Sequence, residues 1–209
     1  YRTETGDERI VMRQTKEGRK KRPGMIVLVL ILVAVIVFCL FKIVPYLMGN
    51  WQAGQLYKDM RSEYVSAKEE VTEEDAWWYT DVDINLADLQ KKYPDVIGWI
   101  RFDHPEDDIL IDYPILYSGE DDKYLHHDMK GSYSYPGSIF LEGENVPSFS
   151  DPNDMSSILY GHNMRNGTMF GTLKHFREDG VFEKNQYFTV YTADTAFRYQ
   201  IFSFFTTQN

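Results

Sequence analysis

The run Ser157-Ile158-Leu159-Tyr160-Gly161-His162-Asn163-Met164-Arg165-Asn166-Gly167-Thr168-Met169-Phe170-Gly171 changes character three times. A β-prone triplet, Ile158 to Tyr160, gives way to a glycine and a histidine. A polar turn with Asn166-Gly167 follows, and then Met169, Phe170, Leu173 and Phe176 recur at helical spacing. The pattern predicts a strand that ends at an imidazole and a helical segment beyond it. Histidine is the side chain whose ordinary pKa lies close enough to neutrality to give and take protons cheaply at pH 7. His162 is therefore a candidate general acid or base; the same pattern also suits a hydrogen-bonded boundary histidine with no chemistry.

On either side of this stretch the chain from Val96 onward consists of short β-prone runs cut by Pro, Gly, Asn and Asp. The predicted strands are Val96 to Phe102, Ile109 to Tyr117, Gly137 to Leu141, Ser156 to Tyr160, Gln186 to Tyr191 and Ala196 to Thr207. Pro114 inside its run predicts an edge position or a bulge. Strands this short favour an antiparallel sandwich or barrel over a parallel sheet. Before them, Asn85 can cap a helix carrying Leu86, Leu89 and Tyr93, with Pro94 at its end. Leu56, Tyr57, Met60 and Tyr64 fall at three- and four-residue steps and predict an amphipathic stalk over 51–71, followed by a solvated acidic run from Glu69 to Asp75.

Met25 to Phe41 contains no charged residue, and beyond Lys42 the apolar character resumes to Met48. As a helix the stretch would span roughly 36 Å, enough to cross a hydrocarbon core of about 30 Å. It is longer than the apolar core of a cleaved signal peptide and lacks a small-residue cleavage pattern. Residues 1–24 carry eight Lys/Arg against four Asp/Glu and end in Arg19-Lys20-Lys21-Arg22. A basic cluster can mark a nuclear signal or a nucleic-acid patch, but abutting an apolar run it reads as a positive-inside flank. The expected orientation has the amino end in the cytoplasm and the remaining domain outside, with Lys42, Tyr46 and Trp51 at the far interface.

Residues 49–209 hold 13 Lys/Arg against 28 Asp/Glu, a balance that argues against nucleic-acid binding. Cys39 is the single cysteine of the 209 residues, which excludes an intramolecular disulfide and any CxxC metal site. His104, His126 and His127 lack a spaced carboxylate or thiol partner, so no metal site is predicted. Asn166-Gly167-Thr168 matches a glycosylation sequon, with turn formation as its plainer role.

The segment Leu159-Tyr160-Gly161-His162-Asn163-Met164-Arg165, followed by Gly167-Thr168-Met169-Phe170, resembles the catalytic-histidine segment of class B sortases. Upstream, Tyr93-Pro94-Asp95-Val96-Ile97-Gly98-Trp99-Ile100, Ile111-Asp112-Tyr113-Pro114-Ile115, Tyr124-Leu125 and Gly137-Ser138-Ile139-Phe140-Leu141 resemble the same family's early strands, in the family's order. The resemblance runs from about residue 85 to Asn209. It implies a mainly β fold, a sortase-like antiparallel β-barrel with flanking N-terminal helices, preceded by one transmembrane helix and incomplete at its C-terminus. The implied organisation is a basic cytoplasmic tail (1–24), a signal-anchor (25–48), a helical stalk (49–82) and the barrel domain (83–209).

Sortases are membrane-anchored cysteine transpeptidases of Gram-positive bacteria. The resemblance implies a thiolate that attacks a sorting motif near the end of a secreted protein, and a thioester resolved by a peptidoglycan-precursor or pilin amine. It implies no cofactor. A histidine shuttles protons and an arginine stabilises the developing oxyanion. His162 matches the family histidine. Cys39 does not match the family cysteine: it lies about 21 Å along the apolar helix from Met25, where lipid disfavours the thiolate. The family's cysteine and arginine come late in its fold, so the 209 residues are expected to stop short of both and to be inactive as they stand. Arg165 and Arg198 match no family position and are weak candidates for a replacement oxyanion donor. Glu120-Asp121-Asp122-Lys123-Tyr124-Leu125 corresponds to a family stretch on the peptide-groove wall, which makes Leu125 and Asp121 candidate substrate contacts, with a carboxylate at Asp121 where the family has an amide. A non-catalytic extracytoplasmic module that keeps the barrel for peptide binding or assembly is the alternative, and a hydrolase that uses water as acceptor is a third reading.

Overall fold

A computed structural model describes residues 23–68, 82–103 and 107–207. The expectations for the basic tail before Pro23, the acidic run from Glu69 to Asp75, and His104 lie outside the described residues. The chain divides into two compact units between Ile43 and Val44.

The first unit is the opening part of helix α1 (Pro23–Tyr64). Side chains over 24–48 are exposed and, except Lys42, uncharged, and this is a helix long and apolar enough to cross a membrane. The structure runs anchor and stalk into one uninterrupted helix through Pro45. What changes along it is burial. From Ala53 onward one face packs, and Ala53, Leu56, Tyr57, Met60 and Tyr64 are all buried, the face that the three- and four-residue spacing predicts.

The rest of the second unit is a mainly β domain with short helices. Strands β1 (Val65–Ala67) and β2 (Val82–Ile84) form a small antiparallel pair. Helix α2 (Leu86–Lys92) begins where expected, with the Asn85 side chain accepting the Asp88 amide at 3.2 Å, and it buries Leu86 and Leu89. Six strands then build the main sheet: β3 (Val96–Phe102), β4 (Asp112–Leu116), β5 (Ile139–Leu141), β6 (Leu159–Tyr160), β7 (Tyr187–Tyr191) and β8 (Ala196–Gln200), in spatial order β6-β5-β4-β3-β7-β8. A four-residue helix, α3 (Val181–Lys184), precedes β7. The sheet curls into a half-barrel. All its pairings are antiparallel except β4 with β5, which needs the long 117–138 crossover because a tight hairpin cannot join parallel strands.

Pro114 lies neither on an edge strand nor at the bulge, since β4 is interior and the register shift falls between Val96 and Gly98. The Phe102 amide donates to the Ile111 carbonyl. Counting back in register, Trp99 and Pro114 are then a non-hydrogen-bonded pair. The nitrogen of Pro114 therefore faces the β5 side, where pairing starts only at Ile115. The missing N–H costs no ladder bond. The core comprises Trp99, Ile111, Ile115, Leu116, Ile139, Phe140 and Leu141 from the strands, closed by Leu56 and Tyr57 of α1 and Leu89 of α2. Each such side chain contributes about 1.5–3 kcal/mol by leaving water. On one face Phe102, Phe188 and Tyr199 stand directly opposite one another in register, with centroids 5.4 and 5.2 Å apart and rings nearly parallel.

Candidate active site

His162 lies two residues beyond β6, and its backbone is fixed from several directions. Its carbonyl accepts the amides of Met164 and Phe170, each at 3.1 Å, and Asn163 and Met169 form an isolated antiparallel bridge. The loop thus closes on itself like a short hairpin. Its interior is held by Met164 and Met169, 5% and 0% exposed. Met169 adopts a positive φ of 54°, a region that L-residues other than Asn and Asp seldom occupy, and its amide does not donate to a strand carbonyl. Instead it donates to the Tyr113 hydroxyl at 3.3 Å. Tyr113 in turn packs edge-on against Tyr57 of α1 at 5.2 Å, so the loop is tied through β4 to the helix.

Two glycines are required by close approach. A Cβ on Gly161 would stand 2.7 Å from the Phe170 ring, and one on Gly171 would stand 2.2 Å from the Met164 carbonyl oxygen. The Asn166 side chain accepts from the Thr168 amide at 3.2 Å and hydroxyl at 2.8 Å, which is the turn role expected of the sequon. The helical spacing beyond it becomes a 3-10 segment, Gly171–Arg177.

The His162 imidazole is half-buried, and its surroundings are rings. His126 lies with its centroid at 5.2 Å and a tilt of 41°, and Tyr135 at 6.4 Å. No hydrogen bond from the described residues reaches the His162 ring, so both nitrogens are open to a reacting group. Burial holds its pKa below the ordinary histidine range, and the charge on His126 pushes the same way. An imidazole held neutral near pH 7 is able to accept a proton and return it.

His126 follows the 3-10 segment Lys123–Leu125 directly. Leu125 is 40% exposed, so it belongs to the surface and not to the core. Asp121 is exposed, and one of its carboxylate oxygens accepts the Gly143 amide at 2.6 Å. His127 places Nδ1 against the Lys123 carbonyl at 2.8 Å. Among the described residues no three His, Cys, Asp or Glu side chains are grouped to hold a metal ion.

Arg198 is committed elsewhere. It makes a two-pronged ion pair with Asp103, one prong at 2.8 Å, and lies over the Tyr187 ring at 4.8 Å. That is the geometry of a structural pair, and it overturns the suggestion that Arg198 serves as an oxyanion donor. Arg165 is exposed at the turn after His162 and makes no ion pair with the described residues. Cys39 is on the apolar part of α1. Sequence reasoning missed Tyr135 and misjudged the relevance of His126, which it weighed only as a metal ligand. The Tyr133-Ser134-Tyr135-Pro136-Gly137 turn was the available signal, two exposed aromatics beside a tight turn.

Comparison with known proteins agrees with this architecture. No family model matches the chain. Sortase B of Listeria monocytogenes is 32% identical over 167 residues, which are 78% of this chain and 65% of that protein, so the chain spans just under two thirds of its length. Sortase B of Staphylococcus aureus is 26% identical over 189 residues, covering 90% of this chain and 71% of the relative. Among solved structures, sortase B from B. anthracis in complex with AAEK1 matches with a TM-score of 0.60 and 26% identity, covering 78% of this chain and 71% of that one. By this similarity in sequence and fold, the chain is a class B sortase-like protein.

Proposed function

We propose that this chain is the anchor and histidine-bearing part of a sortase-type cysteine transpeptidase. The single observation that carries the reading is the His162 imidazole, backbone-locked, half-buried and free of hydrogen bonds from the described residues. In the proposed reaction His162 takes the proton of a cysteine thiol, and the thiolate so formed attacks the backbone carbonyl of a C-terminal sorting motif in a secreted protein. His162 protonates the departing amine, leaving a thioester. It then takes a proton from an incoming peptidoglycan-precursor or pilin amine, which forms the new amide and releases the thiol.

Among the described residues the site brings no cysteine and no oxyanion-stabilising arginine to His162, and the 209 residues alone are proposed to be inactive. Leu125 supplies an apolar wall beside His162. Asp121, through Gly143, holds the loop that bears that wall. The apolar part of α1, over 25–48, is proposed to cross the membrane once with the amino end in the cytoplasm and the domain outside, where sorting substrates and amine acceptors are found; the proposed tail, stalk and barrel domain are 1–24, 49–82 and 83–209.

The test is His162→Ala in the chromosomal copy, with C-terminal processing of secreted proteins followed in the cell-wall fraction. Loss of processing by roughly 10²–10⁴-fold is the size expected for removing a general acid–base. Unchanged processing would overturn the reading, and sorting-peptide binding that survives His162→Ala, with no turnover by the unsubstituted full-length protein, would make the domain a binding module.

A further inference from the structure

The ring against His162 is itself titratable, and it is held from outside the His162 loop. His126 Nδ1 lies 3.3 Å from the Tyr135 carbonyl. The Tyr135 ring stacks on His126 at 6.3 Å with a 28° tilt, and Tyr46 of α1 packs edge-on against Tyr135 at 4.8 Å. A continuous series of rings therefore runs Tyr46, Tyr135, His126, His162, from helix to candidate base. Gly137, at the end of the turn that carries Tyr135, is pressed so closely on the 3-10 segment before His126 that a Cβ there would stand 2.3 Å from the Leu125 carbonyl oxygen. The Ser138 amide bonds the Tyr124 carbonyl at 3.0 Å, and the Ser134 amide bonds the His126 carbonyl at 2.9 Å. Both the backbone and the ring of His126 are thus fixed before His162 is considered.

We propose that His126 is a positioning residue for His162: its ring, anchored on the Tyr135 carbonyl, holds the His162 imidazole in one orientation and sets the pH at which that imidazole takes its proton. This rests on the reading of His162 as the acid–base group. An imidazole whose Nδ1 is engaged with a carbonyl keeps its second nitrogen for a further partner or a proton. Protonation there places a cation about 5 Å from His162, a separation at which two unit charges repel appreciably even when part of the field runs through water. Of the described groups facing His162, His126 and Tyr135 are the ring neighbours, and His126 is the ionisable group whose charge is felt there. Arg165, three residues along the loop, is exposed. His127 is directed to Lys123 and to the Tyr133 ring, 6.3 Å away.

The experiment is a pH titration of the His162 ring by NMR in the full chain, comparing the natural protein with His126→Gln and His126→Lys. Glutamine keeps a polar side chain and loses the charge; lysine keeps a cation and loses the ring. The expected result is an upward shift of the His162 midpoint in His126→Gln and no upward shift in His126→Lys. An unchanged midpoint in His126→Gln, or equal shifts in both variants, would overturn the proposal, because a purely structural role moves both alike. Tyr135→Leu gives a second reading of the same arrangement: the His162 resonances should broaden or split as the ring gains orientations, and a single sharp set would count against the positioning role. Neither readout depends on turnover. A shifted midpoint alongside normal processing in the His162→Ala strain would leave the ring coupling standing and discard the transpeptidase reading instead.

Discussion

Asp112 and His162 are both ionisable side chains drawn partly out of water, one inside the six-stranded sheet and one just past its edge, and they are surrounded in opposite ways. Asp112 is 6% exposed and saturated with donors. Its carboxylate accepts Trp99 Nε1 at 2.7 Å and an Arg101 guanidinium nitrogen at 2.6 Å, and its carbonyl accepts Arg61 of α1 at 3.1 Å. Burial still pushes its pKa up, against the pull of Arg101, Trp99 and Arg61. His162 has rings where Asp112 has donors. A group whose two carboxylate oxygens are both engaged by structural donors is suited to holding the sheet together, whereas a group fixed by its backbone and flanked by aromatic faces keeps its nitrogens for chemistry. The contrast separates the two roles without reference to any relative.

Breaking the saturated end should cost the most. Asp112→Ala strands Arg101 in the sheet, where its side chain is 11% exposed, and should destabilise the domain by about 3–5 kcal/mol, measured by denaturant unfolding. His162→Ala should change stability by no more than about 0.5 kcal/mol, the range of substitutions that remove no buried partner. Similar losses at both positions would mean that His162 is structural after all.

The glycine before the histidine comes next. Gly161→Ala places a methyl 2.7 Å from the Phe170 ring. Phe170 also supplies the amide that holds the His162 carbonyl. Relief requires Phe170 to move, at about 1–3 kcal/mol for such overpacking. The informative readout is the His162 ring environment by NMR: it should change in Gly161→Ala, and an unchanged spectrum would show that Phe170 yields without disturbing the loop.

Asp121 tests the proposed groove wall on a smaller scale. Asp121→Ala removes the acceptor for the partly buried Gly143 amide, so the cost should be about 1 kcal/mol by thermal unfolding. Gly143 is hemmed in, with a Cβ there meeting the Gly119 carbonyl oxygen at 2.8 Å. Amide exchange at Gly143 should accelerate in the variant, and protection left intact would mean that Asp121 does not hold this loop.

How much of this was legible in the sequence follows the same division. Strand β3 was readable to the residue because Val96 to Phe102 is a fully apolar-faced run whose partners lie on both sides. The buried face of α1 was readable because periodicity records burial directly. Strand β8 was predicted through Thr207 and stops at Gln200. Ile201 still donates to the Gln186 carbonyl at 2.8 Å, but Phe202 and Phe205 beyond it are 96% and 80% exposed, and apolar composition alone does not supply a neighbouring strand. Pro114 was assigned to an edge or a bulge because its pairing phase depends on the partner's register, which one strand's sequence does not contain. His162 was visible as a residue type at a junction. Its ring partners were not, since residues 126, 135 and 162 meet only after the 117–138 crossover has folded back. Which of the adjacent His126 and His127 faces the site is a tertiary fact.

The smallest effect bears most directly on the comparison. A histidine whose pKa is depressed on folding leaves the unfolded chain as the better proton acceptor, so stability must rise with pH where the two forms differ in bound protons. For His162 the contribution is neutral well above the ordinary histidine value of about 6.5. As the pH falls through that value the unfolded chain takes up a proton that the folded His162 refuses, and stability drops. The loss stops growing once the folded imidazole is protonated in its turn. His162→Gln should remove this part of the pH dependence, so the difference in thermal midpoint between the natural protein and the variant should shift in favour of the variant on going from pH 8 to pH 5. Asp112 gives the opposite sign. Its carboxyl is raised on folding, so its protonation favours the folded form as the pH falls through the folded value. A His162→Gln difference that ran in the Asp112 direction would mean that the imidazole is stabilised as a cation, and the histidine would then resemble the saturated aspartate more than a group kept open for proton transfer.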